Sequence, residues 1–129
     1  MLAQLRALII DSNEAEAQAL WDLLQPEIYF IERSFTPSLR EALTLLLAEK
    51  VDVFLVSGRL PDEGIRSFAT DVARTNCGSK VALILVDDAP SRDSDGARTK
   101  YEGFTATIRR ACKDDDKKAL VEALKPFEQ

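Results

Sequence analysis

The chain has 129 residues, of which 46% are hydrophobic and 30% are charged, and its formal net charge is −5 at pH 7. This length suits one domain, residues 1–129, with a buried core. An acidic chain without a clustered Lys/Arg stripe is a poor ligand for a polyanion, so we expect no direct binding to nucleic acid. No apolar run approaches the roughly 20 residues that span a bilayer, so we expect no membrane segment.

The two cysteines, Cys77 and Cys112, have no CxxC spacing, and no signal peptide precedes them. They predict two reduced thiols rather than a disulfide or a metal site, which indicates a cytoplasmic protein. The sequence stops just past the last predicted helix, which is consistent with an output domain fused after Gln129.

Strands and helices alternate along the chain. Short apolar runs rich in β-branched residues predict strands, and apolar residues at intervals of three and four predict helices. The predicted strands are residues 5–10, 27–33, 51–56, 81–86 and 104–108. The predicted helices are residues 14–25, a segment from Pro37 to Lys50, one after Asp62 with Ile65, Phe68 and Val72 on one face, a weak or irregular one within 89–103, and one after Asp116 that reaches Phe127.

Polar residues at the helix starts predict the caps. The cluster of Asp11, Ser12 and Asn13 can end the first strand and cap the first helix. We expect Thr36 to cap the second helix, with a proline at its first position, and Asp62 to cap the third.

The third predicted strand lies at the centre of the expected sheet. Residues 51–56 are apolar except for Asp52, which is typical of a parallel strand covered by helices on both faces. Ser57 follows at the carboxyl end of this strand. Because ligands of open α/β sheets bind outside the carboxyl ends of the strands, Ser57 occupies the position where activity is expected.

The β-α order repeats five times. With right-handed crossovers it predicts an α/β fold, a flavodoxin-like (βα)5 doubly wound five-stranded parallel sheet with strand order 2-1-3-4-5. We expect Val53, Leu55, Leu83 and Leu85 among its buried central residues.

The acids at the strand ends and the Leu-Pro turn after strand three resemble the receiver domain of bacterial two-component response regulators, over about residues 5–127. The resemblance implies a CheY-like fold with an acidic pair after strand one, a phosphoacceptor aspartate closing strand three, a Thr or Ser after strand four, a switch aromatic on strand five and a Lys-Pro after it. This chain keeps the first acid as Asp11 but has Ser12 for the second, Ser57 for the phosphoacceptor, Asp87 for the hydroxyl residue, Thr107 for the aromatic, and Arg110 with Ala111 for Lys-Pro.

Phosphoryl transfer to a receiver needs a carboxylate nucleophile and enough anionic ligands to hold Mg²⁺. Ser57 supplies neither, and a sequence without histidine offers no Ser-His pair to activate the hydroxyl. We therefore interpret the chain as a pseudo-receiver, a phosphorylation-independent module for protein–protein interaction or dimerisation in bacterial signal transduction. We expect no enzyme activity, no cofactor, and weak or absent Mg²⁺ binding.

Two other interpretations stay open. The chain could be a receiver that still responds to a cation or phosphoryl donor at its acidic pocket and regulates an output domain. Asp11 and Asp87, with Asp88, are weak candidates for metal ligands there, but beside Arg110 they also suit a self-neutralised polar cluster. A small enzyme on the same sheet is less favoured, because the sequence has no GxxxxGK[ST], GxGxxG or GxSxG motif.

The interaction surface is predicted on the first and last helices. We expect the Trp21 ring to be half-buried at the edge of the first helix, with Trp21 and Phe127 near the rim of the surface, since exposed aromatic residues often anchor interfaces. Residues 91–101 are expected to be short, irregular or mobile as a helix. With Asp87 and Thr107 at the switch positions, we expect binding to use a constant surface.

Overall fold

The computed structural model describes residues 6–24, 32–48, 51–75, 81–87, 104–109 and 113–124. Its strands are β1 (Arg6–Ile10), β2 (Glu32–Thr36), β3 (Val53–Ser57), β4 (Ala82–Asp87) and β5 (Ala106–Arg109). Its helices are α1 (Glu14–Leu24), α2 (Leu39–Ala48), α3 (Asp62–Arg74) and α4 (Asp114–Leu124). Every strand pair is parallel, and the order is β2-β1-β3-β4-β5. The predicted fold class and strand order are confirmed.

Apolar layers cover both faces of the sheet. Alternate residues of β3 face opposite layers: Val53 and Leu55 pack with α1 and α4, whereas Phe54 packs with α2 and α3. These three residues are fully buried, and so, within a few per cent, are Leu83 and Leu85 on β4. The predicted central core is confirmed, and the burial of both faces explains why the sequence of β3 is almost continuously apolar.

The third helix buries the face that its sequence predicts. Ile65, Phe68 and Val72 are all buried against the sheet. The ring of Phe68 meets that of Phe54 edge to face, with centroids 5.1 Å apart and an interplanar angle of 89°, a favourable aromatic geometry. None of the described helices has both the length and the apolar character needed to cross a membrane.

The second strand lies later in the chain than predicted. We expected it over residues 27–33, but β2 runs from Glu32 to Thr36, in register with the whole of β1. The polar residues of this edge strand gave little alternation to recognise, whereas the apolar run before it suggested a strand. Residues 27–31 of the predicted strand lie outside the described residues.

The cap of the second helix is also different. Ser38, not Thr36, caps α2, because the Glu41 N–H donates to Ser38 Oγ at 3.2 Å. Thr36 is the last residue of β2, and its hydroxyl donates to Glu41 Oε1 at 2.7 Å. Pro37 therefore precedes the cap instead of occupying the first turn.

The other two predicted caps have opposite outcomes. Asn13 caps α1, since its Oδ1 accepts the Glu16 N–H at 3.2 Å. Asp62 is the first residue of α3 and does not cap it; Pro61 occupies the cap position, with no side-chain hydrogen bond. The two acids in the first turn of α3 still stabilise the helix, because their negative charges lie at the positive end of the helix dipole.

Trp21 is buried, contrary to its predicted place at the rim of a surface. Its side chain is only 6% exposed and belongs to the core layer between the sheet and α1. With Ala17, Leu20 and Leu24 it widens the apolar stripe of α1 beyond the three residues that define its spacing. Phe127, the two cysteines and residues 91–101 lie outside the described residues.

Substitution of a central leucine tests this architecture. Leu55→Ala is expected to lower the free energy of unfolding by about 2–5 kcal/mol, because it leaves a cavity in a tightly packed core. Leu47→Ala is the matched control, since Leu47 is 69% exposed, and should change stability by about 0.5 kcal/mol or less. Urea denaturation measures both, and equal effects at the two positions would contradict the assigned core.

Candidate functional site

The carboxyl edge of the sheet brings together three of the residues predicted from sequence. β1 pairs with β3 up to Ile10, and β3 pairs with β4 up to Ser57. Asp11 and Asp87 therefore flank Ser57 on the two neighbouring strands. Asp11 is 1% and Ser57 2% exposed, whereas Asp87 is partly exposed. Ser12 is exposed.

Asp11 makes hydrogen bonds within the turn after β1. Its N–H donates to the Thr36 carbonyl at 3.2 Å, and its Oδ1 accepts the Asn13 N–H at 3.1 Å. A side-chain oxygen that accepts an N–H two residues on forms an Asx turn, which directs the chain into α1. This carboxylate thus stabilises the local backbone at the edge of the site.

Ser57 has the same kind of role at the end of β3. Its Oγ accepts the Arg59 N–H at 3.2 Å, and its carbonyl accepts the Leu60 N–H at 3.3 Å. The serine hydroxyl is therefore part of a turn that leads the chain out of the sheet.

Asp87 packs against the loop that follows Ser57. The Gly58 N–H donates to the Val86 carbonyl at 2.8 Å. A Cβ atom placed on Gly58 would lie 3.2 Å from Asp87 Oδ1 and 3.2 Å from that carbonyl, so a side chain at this position would crowd both. The Asp87 carboxylate consequently lies close to Gly58.

Thr107 lies on β5, further from the carboxyl edge of the sheet than Asp87. It pairs with Leu85, two residues before the level at which Asp87 pairs with Arg109. Its neighbour Ile108 belongs to the core layer under α4, so Thr107 faces the opposite side of the sheet. Its Oγ1 is buried and has no hydrogen-bond partner among the described residues.

The acids at this edge were predicted as weak metal ligands. Mg²⁺ needs octahedral coordination by oxygen ligands, including carboxylates; Asp11 Oδ1 accepts an N–H, and Asp87 Oδ1 lies close to Gly58. Across the described ranges, no group of three or more acidic, histidine or cysteine side chains could hold a metal ion. Weak or absent Mg²⁺ binding stays a prediction, and Asp88 and Arg110 lie outside the described residues.

A buried acid at the start of the last helix, whose partners the sequence did not predict, fixes the connection between β5 and α4. Asp116, only 7% exposed, accepts the Arg109 N–H at 3.0 Å and the Arg109 Nε–H at 2.9 Å. It also accepts the Lys113 N–H at 2.9 Å, which is half of a capping box at the start of α4. Asp116 is the third residue of α4, and an acid at the third position of a helix is a sequence signal for this kind of cap.

An ion pair that joins α1 to the loop after β3 was also not predicted. Arg59 Nη1 donates to Glu16 Oε2. The two residues are 43 positions apart in the sequence, so no local pattern could have linked them.

The fold has close counterparts among solved structures. A signal receiver domain of an HD domain-containing protein from Pseudomonas fluorescens Pf-5 is 24% identical, with a TM-score of 0.71 over 96% of this chain and 97% of that one. The CheY-like response regulator receiver domain from Methylobacillus flagellatus is 13% identical, with a TM-score of 0.71 over 95% and 100%. A CheY-like receiver domain protein from Methanospirillum hungatei JF-1 is 22% identical, with a TM-score of 0.63 over 96% and 93%.

These similarities show that the chain has the receiver-domain fold, as the resemblance in sequence implied. Because the identities are below 25%, these similarities are evidence for the fold and not for the activity. No family model matches the chain, and no curated protein matches it.

Replacement of Asp116 tests its role at the β5–α4 connection. Asp116→Asn should lower the free energy of unfolding by about 1–3 kcal/mol. Both carboxylate oxygens of Asp116 accept N–H groups, and the amide nitrogen that replaces one of these oxygens cannot accept a hydrogen bond. Asp115→Asn is the control: Asp115 also pairs with Arg109, but its side chain is 85% exposed, so about 0.5 kcal/mol or less is expected. Equal losses in urea denaturation would refute a special role for Asp116.

The hydroxyl of Thr107 can be tested in the same way. Thr107→Val replaces a hydroxyl that is buried and has no partner in the described part of the chain with a methyl group of similar shape, so thermal unfolding should show a gain of about 1 kcal/mol. Thr107→Ser keeps the hydroxyl and loses the methyl group, and it should be less stable than wild type. A valine variant that is less stable than wild type would mean that the hydroxyl has a stabilising partner.

Proposed function

We propose, from a receiver-domain fold that lacks the phosphoacceptor aspartate, that this protein is a pseudo-receiver in bacterial signal transduction. It acts without being phosphorylated, by binding a protein partner or a second copy of itself. The observation that carries the proposal is the identity and setting of Ser57, buried at the carboxyl end of β3 with its hydroxyl bound to the Arg59 N–H.

The chemistry of a hydroxyl supports this proposal. A receiver forms an acyl phosphate when a carboxylate oxygen attacks the phosphoryl donor, whereas a neutral serine hydroxyl is a weak nucleophile without a base. The sequence contains no histidine to act as that base. Asp11, the acid on the neighbouring strand, has one carboxylate oxygen bound to the Asn13 N–H. We therefore also propose that the protein is not an enzyme.

The charge beside Ser57 supports it further. The Asp87 carboxylate packs against Gly58, the residue after Ser57. An anionic phosphoryl group at Ser57 would lie near this negative charge, and like charges at short range repel each other. The charge of Asp87 thus disfavours a phosphoryl group at Ser57, the position that is phosphorylated in a responsive receiver.

The connection between β5 and α4 supports binding that does not depend on a signal. A switch needs an element with two arrangements whose balance a ligand can change. Here Thr107 replaces an aromatic side chain on β5, and Asp116 holds Arg109 and Lys113 together at the end of that strand. These bonds favour one arrangement of the β5–α4 connection.

The partner surface is proposed on α1 and α4, which pack on the same core layer. Since Trp21 is buried there, the exposed charged residues of the two helices would make the contacts, with Lys118 among them. We place the protein in the cytoplasm, where two-component signalling proteins meet their partners.

A phosphoryl mimic tests the proposal. We expect beryllofluoride with Mg²⁺ to leave the amide NMR spectrum of the protein unchanged, because residue 57 has no carboxylate to bind the mimic. Ser57→Asp alone should not restore a response, since Ser12 stands where the second acid is needed.

A receiver domain that retains its aspartate serves as the positive control, and its amide signals should shift under the same conditions. Shifts of the amides around Ser57 in the wild-type protein would overturn the proposal. They would favour the other candidate, a receiver that still responds to a phosphoryl donor or a cation.

A further inference from the structure

The topology places a crevice at the carboxyl edge, where the strand order reverses between β1 and β3. From β1 the chain passes outward to β2, and from β3 it passes the other way to β4. The helices that follow β1 and β3 lie on opposite faces of the sheet, because α1 packs on one core layer and α3 on the other. The two loops therefore diverge, and the space between them is where α/β sheets bind ligands.

The ion pair between Glu16 and Arg59 spans this divergence. Glu16 lies in the first turn of α1, and Arg59 lies in the loop between β3 and α3. Their side chains are 31% and 44% exposed, so the pair lies at the surface, whereas Ser57, two residues before Arg59, is 2% exposed. The ion pair thus lies closer to the solvent than Ser57 does.

Both ends of the bridge continue into the hydrogen bonds of the site. The Arg59 N–H donates to Ser57 Oγ, so the backbone of Arg59 is bound to the buried serine. The Glu16 N–H donates to Asn13 Oδ1, and the Asn13 N–H donates to Asp11 Oδ1. One connected set of contacts therefore runs from Ser57 to Asp11 by way of the surface pair.

We propose that the Glu16–Arg59 bridge closes the crevice between β1 and β3 and limits the access of small solutes to Ser57. Opening the bridge frees the loop after β3 from α1 and exposes the serine. An isolated ion pair at a protein surface often contributes nothing measurable, but here the backbone N–H of Arg59 is also bound to Ser57, and that of Glu16 to the helix cap Asn13. The proposal concerns access to residue 57 and does not depend on which protein the module binds.

Thiol labelling tests this proposal. In the full chain with Cys77 and Cys112 replaced by serine, Ser57→Cys places a single thiol at the base of the crevice, and its reaction with DTNB reports opening. Adding Glu16→Gln should make labelling about two- to fivefold faster, the range that the loss of an exposed ion pair allows. Glu14→Gln, an exposed residue of the same helical turn, is the matched control and should leave the rate unchanged.

Substitution of Arg59 and added salt test the ion pair independently. Arg59→Gln should accelerate labelling as much as Glu16→Gln does, and the double variant should be no faster than either. Added NaCl should accelerate labelling when the pair is intact and have little effect when it is absent. Equal rates with and without the pair, or an equal increase in the Glu14→Gln control, would overturn the proposal.

Hydrogen exchange provides a second measurement that leaves residue 57 unchanged. The Arg59 amide, which donates to Ser57 Oγ, should exchange about two- to fivefold faster in Glu16→Gln than in the otherwise wild-type protein. The amides of β1 and β4 should keep their rates. Unchanged exchange at Arg59, or an equal acceleration throughout the sheet, would also contradict closure by the bridge.

Discussion

The position of β3 between β1 and β4, with helices over both faces, is the constraint on which the rest of the structure depends. The strand is hydrogen-bonded along both edges and buried along its whole length. A polar residue at its carboxyl end is buried with it, and burial of a polar atom is costly unless the atom is hydrogen-bonded. Ser57 meets this requirement through the backbone of its own loop, which links the architecture of the sheet to the chemistry of the site.

The side chains around Ser57 follow the same rule. A receiver pocket that binds a cation keeps several carboxylate oxygens available to it. In this chain, Asp11 accepts a backbone N–H and Asp87 packs on Gly58. The Asp11 carboxylate thus stabilises the turn after its strand. The resulting edge belongs to a receiver fold, with Ser57 at the end of β3 and with Asp11 and Asp87 on either side of it.

The charged residues that surround this edge are paired across elements. Arg59 binds Glu16 on α1, and Arg109 binds Asp116 at the start of α4. The first pair joins the two loops beside the crevice, and the second fixes the exit from β5. Together they connect α1 and α4 to the loop after β3 and to the end of β5.

The parts of the structure that the sequence predicted are those set by local patterns. The apolar runs of β3 and β4 and the spacing of Ile65, Phe68 and Val72 identified the sheet and its covering helices. The order of elements then determined the topology, and the topology brought Asp11, Ser57 and Asp87 to one edge.

The errors came from places where tertiary contacts override local patterns. β2 is an edge strand with polar residues, and its limits follow from pairing with β1 rather than from its own alternation. The predicted cap, Thr36, is the last residue of β2, and Ser38 caps the helix instead. The Glu16–Arg59 pair joins residues distant in sequence, so only the fold could reveal it.

The central claim is that residue 57 cannot accept a phosphoryl group. Intact-protein mass spectrometry after incubation with acetyl phosphate and Mg²⁺ tests it most directly, because a covalent phosphoryl group changes the mass of the chain whatever its effect on conformation. We predict an unchanged mass for the wild-type protein and for Ser57→Ala. A mass increase of one phosphoryl group in the wild type that is absent in Ser57→Ala would contradict the account.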